Sequence, residues 1–273
     1  MTADNMVRRY LDRIKFFGEP DCGAEALARL VRLHLINVPY ENLDIMRNIP
    51  ISLELGALYD KIVTRQRGGF CFELNGLFGW LLRELGFGVV EYAGRFLRNF
   101  AAIPMRQHRV IRATAGGADY LCDVGAGSVI PRAPLRLEAG YERVQGDERY
   151  RLDYEPPLGY ILSEWKAGRG ANECSLDCTN VNSGCAGYWR RIYSFTTEEQ
   201  LDIDFVMPSY YCENHPDSYF RKMDMVHIFT HDGRKSAAGR EIRIFTPKGV
   251  ELIIPAGEAE YEDLLDCHFG IRL

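Results

Sequence analysis

The spacing of apolar residues along this chain changes once, near Gly86, and that change limits the architectures it can adopt. Before it, apolar residues recur at intervals of three and four, the spacing that gives a helix one buried stripe. Val7, Tyr10, Leu11 and Ile14 form one such face. Leu27, Leu30, Val31, His34 and Leu35 form a second, on a helix that must end before Pro39 because the residue preceding a proline avoids the helical region. A third helix is expected from about Leu53 to Val63 with Ser52 as its N-cap, and a fourth runs through Leu74, Leu77, Phe78, Leu81, Leu82 and Leu85 to a glycine stop at Gly86. From Phe87 to about Phe195 the spacing falls towards two. VVEYAGRF, HRVIRATA, YLCDVGAG, RYRLDYE, YILSEW and YWRRIYSF are rich in β-branched and aromatic residues and are separated by Gly, Pro and Asp turns. Consecutive short strands of this kind predict an antiparallel sheet closing into a barrel. From about Thr196, turns at HDGRKSAAG and TPKG precede a final helix at YEDLLDCHF. The expected class is α+β, with residues 1–86 a helical bundle, 87–195 an antiparallel β-barrel and 196–273 a mixed α/β part.

Composition narrows the functions open to such a fold. A net charge of -5 gives no field that would draw in nucleic acid or an anionic membrane, so neither is expected as a partner. The first residues, MTADNMVRRYLDRI, carry arginines without a following apolar run, and no segment approaches the length of a membrane span, which predicts a soluble, cytoplasmic protein. Eight cysteines in a chain neither short nor signalled for export predict free thiols and not a disulfide framework. Cys174, Cys178 and Cys185 cluster, but they lack the paired spacing of structural zinc and have no histidine nearby; a polar loop with free thiols is expected there, and no metal.

One of these thiols stands apart. Gly68-Gly69-Phe70-Cys71-Phe72-Glu73 feeds a glycine turn into the fourth helix and places Cys71 in its first turn. Unpaired N–H groups and the positive end of the helix dipole there favour thiolate over thiol. An exposed sulfur would be reactive, whereas a buried one would be a small hydrophobe at a helix start.

A thiolate of this kind needs a proton acceptor. Of the six histidines, His34 lies on an apolar helix face, His231 in a turn and His268 in the last helix; His215 and His227 stay open. His108 opens a strand that turns at Thr114-Ala115-Gly116-Gly117 into a second strand from Asp119 to Val124. A hairpin centred between Ala115 and Gly116 sets His108 opposite Asp123, Val110 opposite Leu121 and Arg112 opposite Asp119, the last an opposite-charge pair. Asp123 would then hold one ring nitrogen of His108 and leave the other for a thiol. A one-residue slip would separate the two onto opposite faces, and a surface His-Asp pair is the alternative use. Taken together, Cys71, His108 and Asp123 are the parts of a nucleophilic site: sulfur attacks a carbonyl, imidazole carries the proton, carboxylate fixes the tautomer, and N–H groups at the helix start receive an oxyanion.

Several ordered blocks resemble the arylamine N-acetyltransferases. They are Tyr10-Leu-Asp-Arg-Ile14, His34-Leu-Ile-Asn-Val-Pro-Tyr-Glu-Asn-Leu43, Arg67-Gly-Gly-Phe-Cys-Phe-Glu-Leu-Asn75, His108, and Tyr120-Leu-Cys-Asp-Val-Gly-Ala-Gly127, with weaker similarity from Tyr188 to Phe195, from Asn214 to Phe220 and at Phe269-Gly-Ile-Arg-Leu273. The resemblance implies a helical bundle, a β-barrel and an α/β lid, with a triad of Cys71, His108 and Asp123. It implies a two-step exchange at one site: Cys71 takes an acetyl group from acetyl-CoA as a thioester, CoA leaves, and an arylamine, arylhydrazine or arylhydroxylamine attacks the acyl-enzyme. Acetyl-CoA is then a co-substrate and no cofactor is permanently bound. By the same analogy Tyr40, Phe70, Gly125, Ala126 and Gly127 border the acceptor, and Met105, Arg106 and Gln107 the CoA. The chain departs from the family pattern at Ala126, where Phe is common, at Tyr40 for a frequent Phe, at Gln107 for a frequent Thr, and in the loop RNFAAIPMRQ, which lacks glycines that often help position CoA. An amide synthase closing a polyketide-type chain, a cysteine hydrolase with the same three residues, and a binding module without catalysis are the competing readings.

Overall fold

The structure, a computed structural model, describes residues 2–97, 102–167 and 187–273. Cys174, Cys178 and Cys185, and residues 98–101 of the loop before His108, lie outside the described residues.

The first part is built from α1 (Ala3–Arg13), α2 (Ala24–Asn37), the two-residue strand β1 (Tyr40–Glu41), the short helices α3 (Leu43–Met46) and α4 (Leu55–Tyr59), and α5 (Cys71–Glu84). Tyr10, Leu27, Leu30, Leu74, Leu77 and Phe78 interlock in one core, so the periodic faces meet each other as the spacing requires. α2 stops ahead of Pro39, and α5 runs out at Gly86, whose φ of 89° only glycine adopts without strain. The third helix differs from expectation at its start. The Ser52 hydroxyl accepts from the Glu54 N–H at 3.2 Å in a local turn, so α4 begins only at Leu55. It then widens into a π turn over Asp60–Thr64, in which Lys61 is buried.

Eight strands follow: β2 (Gly88–Phe96), β3 (His108–Ala115), β4 (Ala118–Cys122), β5 (Leu135–Arg136), β6 (Tyr141–Gln145), β7 (Glu148–Glu155), β8 (Gly159–Ala167) and β9 (Gly187–Glu199). Every ladder is antiparallel, in the order β5-β4-β3-β2-β9-β8-β7-β6. The two ends return close to each other, with Arg143 Nη1 donating to the Pro134 carbonyl at 2.9 Å, so the sheet nearly closes as a barrel. Tyr92, Val110, Leu121, Leu152, Tyr193 and Phe195 fill it. The strand expected across YLCDVGAG stops at Cys122 and frees Asp123 to Gly127 as a loop.

The hairpin of β3 and β4 corrects the expected register. Gly116 and Gly117 have φ of 56° and 79°, so both are central residues of a two-residue turn of the primed kind. Thr114 therefore pairs with Asp119, and Arg112 with Leu121. The slip is two residues, which leaves every side chain on its expected face. Arg112 still reaches Asp119, diagonally, at 3.2 Å.

The last part holds a short 3-10 turn (Asp202–Phe205), α6 (Val206–Asn214), β10 (Met225–Phe229), β11 (Arg234–Ala238), β12 (Glu241–Thr246), β13 (Gly249–Ile253) and α7 (Glu258–Phe269). β10 to β13 form a meander, and β1 adds to its edge by pairing Tyr40 with His227 and Glu41 with Val226. One face of this sheet is covered by Tyr261, Leu265 and Phe269 of α7. Among the described residues no helix is long and apolar enough to cross a membrane.

Candidate active site

Cys71 is the first residue of α5, and the loop ahead of it is fixed by buried charge. Arg67 clamps Glu41 through two bonds of 2.7 Å and touches Asp44 at 2.9 Å, while Glu41 also accepts the Gly68 N–H. Lys61 lies 2.8 Å from both Asp44 and Glu73. Glu73 in turn reaches back to accept the Phe70 N–H at 3.0 Å, capping the start of α5. Gly68 has no room for a side chain: a Cβ there would sit 2.0 Å from the Pro39 carbonyl oxygen. Phe70, Phe72, Phe205 and Phe220 pack around the sulfur side of this turn together with Cys212.

His108, at the start of β3, turns into the barrel side between the rings of Phe96 and Tyr193, at 4.7 and 4.9 Å between centroids. Its Nε2 lies 2.6 Å from Asp123 Oδ2, and its Nδ1 is buried without a partner. Asp123 sits where β4 has ended. Its Oδ1 accepts from Asn75 Nδ2 at 2.9 Å and from the Gly125 N–H at 2.8 Å. Burial by itself would raise this carboxyl, but His108, Asn75 and the Gly125 N–H together hold it below its ordinary value.

Asn75 joins the two halves. It is one turn beyond Cys71 on α5, and besides Asp123 it donates to the Arg109 carbonyl at 2.6 Å and accepts the Val124 N–H at 2.9 Å. The loop after Asp123 comes against Cys71 directly, since a Cβ on Gly125 would lie 2.8 Å from the Cys71 Cα. The Cys71 sulfur is 3.6 Å from the backbone oxygen of Gln107, the neighbour of His108. Three segments far apart in sequence thus meet within a few ångströms.

The thiol itself departs from expectation. Cys71 is only 1% exposed, and burial, then the neighbouring Cys212 and the charge of Asp123, push its pKa up well above the ordinary thiol value. The helix start does not outweigh this, because dipole effects of about 0.3–1 kcal/mol are smaller than the desolvation of a buried anion.

The family model for N-acetyltransferase matches residues 24–273. Across 270 residues the chain is 34% identical to the arylamine N-acetyltransferase of Mycobacterium tuberculosis, over 97% of this chain and 88% of that protein. The chain belongs to the arylamine N-acetyltransferase family. Its backbone superposes on the Salmonella typhimurium arylamine N-acetyltransferase with a TM-score of 0.86 at 28% identity, covering 99% of this chain and 92% of that one. It also superposes on the Mycobacterium marinum arylamine N-acetyltransferase solved in complex with CoA, with a TM-score of 0.83 at 34% identity, covering 97% and 92% of the two chains.

Within this N-acetyltransferase fold the remaining residues singled out from sequence are placed as follows. Tyr40 sits on β1 with its ring against Gly127, where a Cβ would lie 3.7 Å away. Gly125 and Gly127 belong to the loop after Asp123, and Ala126 between them packs toward both the helical and the barrel cores. Phe70 is fully buried in the aromatic cluster that also holds Cys71. Met105 is half exposed, Arg106 pairs with Glu198 at 2.9 Å and Thr196 at 3.1 Å, and the Gln107 N–H is bonded to the Gly94 carbonyl. Asn75, Glu73 and the Arg67–Glu41 clamp also support the site, and the sequence signals only the first of them, as a polar residue one turn after the helix-start cysteine. Among the described residues no cluster of metal-ligating side chains is present.

Proposed function

We propose that Cys71 is the nucleophile, His108 its base and Asp123 the group that orients the base, in transfer of an acetyl group from acetyl-CoA to an aromatic amine, hydrazine or hydroxylamine. The observation that carries this reading is the 2.6 Å His108–Asp123 bond with the opposite ring nitrogen left unpartnered. With the thiol pKa raised by burial, the sulfur becomes nucleophilic by passing its proton to that nitrogen as it attacks the thioester carbonyl. The C–S bond to CoA breaks, the imidazolium returns the proton to the departing CoA sulfur, and an acetyl-Cys71 thioester remains. The neutral amine attacks this thioester, His108 takes its proton, and the thiol is restored with release of the amide. N–H groups at the start of α5 receive the oxyanion in both halves. CoA bound to the M. marinum relative supports the donor assignment, and the S. typhimurium relative named both arylamine N-acetyltransferase and N-hydroxyarylamine O-acetyltransferase supports arylamines and N-hydroxyarylamines as acceptors. These relatives favour acetyl transfer over a polyketide-type amide synthase or a hydrolase.

Mixing the protein with acetyl-CoA in the absence of amine tests the reading. One equivalent of free CoA and one acetyl group on Cys71 are expected, followed by turnover on adding an arylamine. Steady CoA release without amine is the hydrolase outcome. Cys71→Ala and Cys71→Ser should release no CoA; substantial transfer by either would overturn the assignment.

A further inference from the structure

We propose that two copies of this chain pair through β13, edge to edge about a two-fold axis. β13 is the outer strand of the C-terminal sheet, with β12 on one side of it and, among the described residues, no strand on the other. Its ladder with β12 runs from Thr246–Gly249 to Ile242–Ile253 without a shift. Pro247, in the turn between the two strands, has no N–H, so Thr246 and Gly249 form the kind of pair that exchanges bonds directly, and the next such pairs fall at Glu251 and Ile253. Val250, Leu252 and Ile254 therefore aim their N–H and C=O groups away from β12, along the open edge. The side chains of the same three residues are uncovered: Val250 is 59% exposed, Leu252 51% and Ile254 67%, whereas Ile253, on the other face, packs toward α7. Proteins commonly blunt an open edge with lysine, proline or a bulge. This ladder has no bulge, and Glu251 belongs to the other row of side chains. An apolar row beside unpaired backbone is a surface that another strand completes.

The residues of β13 favour its own copy as that strand. A two-fold centred on Leu252 sets Leu252 against Leu252 of the second copy and Val250 against its Ile254, so every outward residue meets an outward residue and each pair exchanges two bonds. Pro255 then ends the ladder. Neighbouring registers of the same parity are worse. A centre at Glu251 would oppose two carboxylates in the closest kind of pair, with Cα atoms about 4.5 Å apart. A centre at Ile253 would bring Pro255 into the ladder and set Val250 against Ala256, whose N–H is already held by Glu260 at 2.6 Å. The Leu252 centre also places Lys248, which forms no salt bridge among the described residues, opposite Ala256 of the second copy, within reach of the Glu260 carboxylate there, and symmetry repeats the pair. Register, apolar row and charge are thus complementary to themselves, and such a contact closes at two copies.

Little more than one strand is covered on each side, below the ~800 Å² per partner of a standard interface, so dissociation with a Kd on the order of 10–100 µM is expected. Sedimentation velocity of the full chain from about 1 to 300 µM should show monomer passing into dimer and nothing larger. Leu252→Lys brings two ammonium groups together on the axis and should raise the Kd at least about tenfold while leaving acetyl transfer unchanged. Ile254→Lys, which charges both ends of the ladder, should do the same and stands in if the first variant fails to fold. Leu252→Cys reads the register. Its Cα atoms would lie about 5.5 Å apart across the axis, within disulfide range, so mild oxidation should cross-link the dimer beyond the level that wild type shows. In Glu251→Cys the two thiols are offset by two residues along the strands, and cross-linking should be at least about tenfold slower. Monomer at every concentration, a dimer that withstands both lysine substitutions, association that grows past the dimer, or equal cross-linking by the two cysteine variants would overturn the proposal.

Discussion

Lowering the pH from 7 to 5 should remove roughly 4 kcal/mol of folding stability through two buried histidines. Burial, reinforced by Arg13 at His34 and by Arg234 and Arg132 at His227, lowers both to about 3. An unfolded histidine titrates near 6.5. Because the native pKa is the lower one, the unfolded chain binds protons first as pH falls. Stability is therefore complete above about 6.5 and drains away between there and about 3, at about 1.4 kcal/mol per pH unit for each ring. From 6.5 to 5 that is about 2 kcal/mol per histidine, a large part of the ~5–15 kcal/mol that holds a native protein together. Carboxyls raised by burial, such as Glu73 and Glu91, act with the opposite sign, so the test must be a difference between proteins. Urea unfolding of wild type and of His34→Leu and His227→Leu at pH 7 and pH 5 provides it. In each variant the loss on going to pH 5 should shrink by about 2 kcal/mol, whatever the substitution does to stability at pH 7. An unchanged loss in a variant would mean that its histidine is not held neutral in the folded protein.

Arg67→Met removes the cation facing Glu41 and Asp44 while keeping most of the volume, and a carboxylate left buried and unpaired should reduce stability by about 3–5 kcal/mol in denaturant unfolding; a change below about 1 kcal/mol would refute the role given to the clamp. Gly125→Ala places a methyl group 2.8 Å from the Cys71 Cα, so the loop must retreat from α5. A stability loss of about 1–3 kcal/mol and at least roughly tenfold slower acylation in stopped-flow are expected, and unchanged acylation would show that this close approach is not needed.

The sequence made some of these features readable and hid others for definable reasons. α5 was legible because its stripe is long and ends on a glycine, and because a nucleophile at a helix start has a local signature. The meeting of His108 and Asp123 was legible only through parity. The turn was centred too early, since Gly116 and Gly117 must both take positive φ, yet a slip of two residues keeps both side chains on one face. β5 and β6 were missed because a two-residue strand, and a strand reading Tyr-Glu-Arg-Val-Gln, carry too little apolar alternation. The pairing of β1 with β10 was beyond reach, because no local rule links Tyr40 to His227 across so much chain. Asn75 stood in plain view, but its three bonds are made to backbone and carboxylate groups that only the fold brings near.

That last point bears on how the proposed chemistry works. A helix start contributes about 0.3–1 kcal/mol toward an anion, up to ~2 kcal/mol in a favourable site, whereas burial drives the Cys71 thiol firmly the other way. Reactivity on this reading cannot reside in Cys71 alone; it requires the imidazole to take the proton at the moment of attack, and hence requires the ring to stay aligned. Asp123 aligns the ring through Nε2, but a carboxylate on a loop is only as fixed as its own contacts. Asn75 supplies them from the helix that bears the sulfur, so a shift of α5 carries nucleophile and orienting group together and preserves their geometry. The buried Arg67, Lys61, Glu41, Asp44 and Glu73 network then serves to hold the start of that helix, and a thiol buried at a helix start without such a base should be inert.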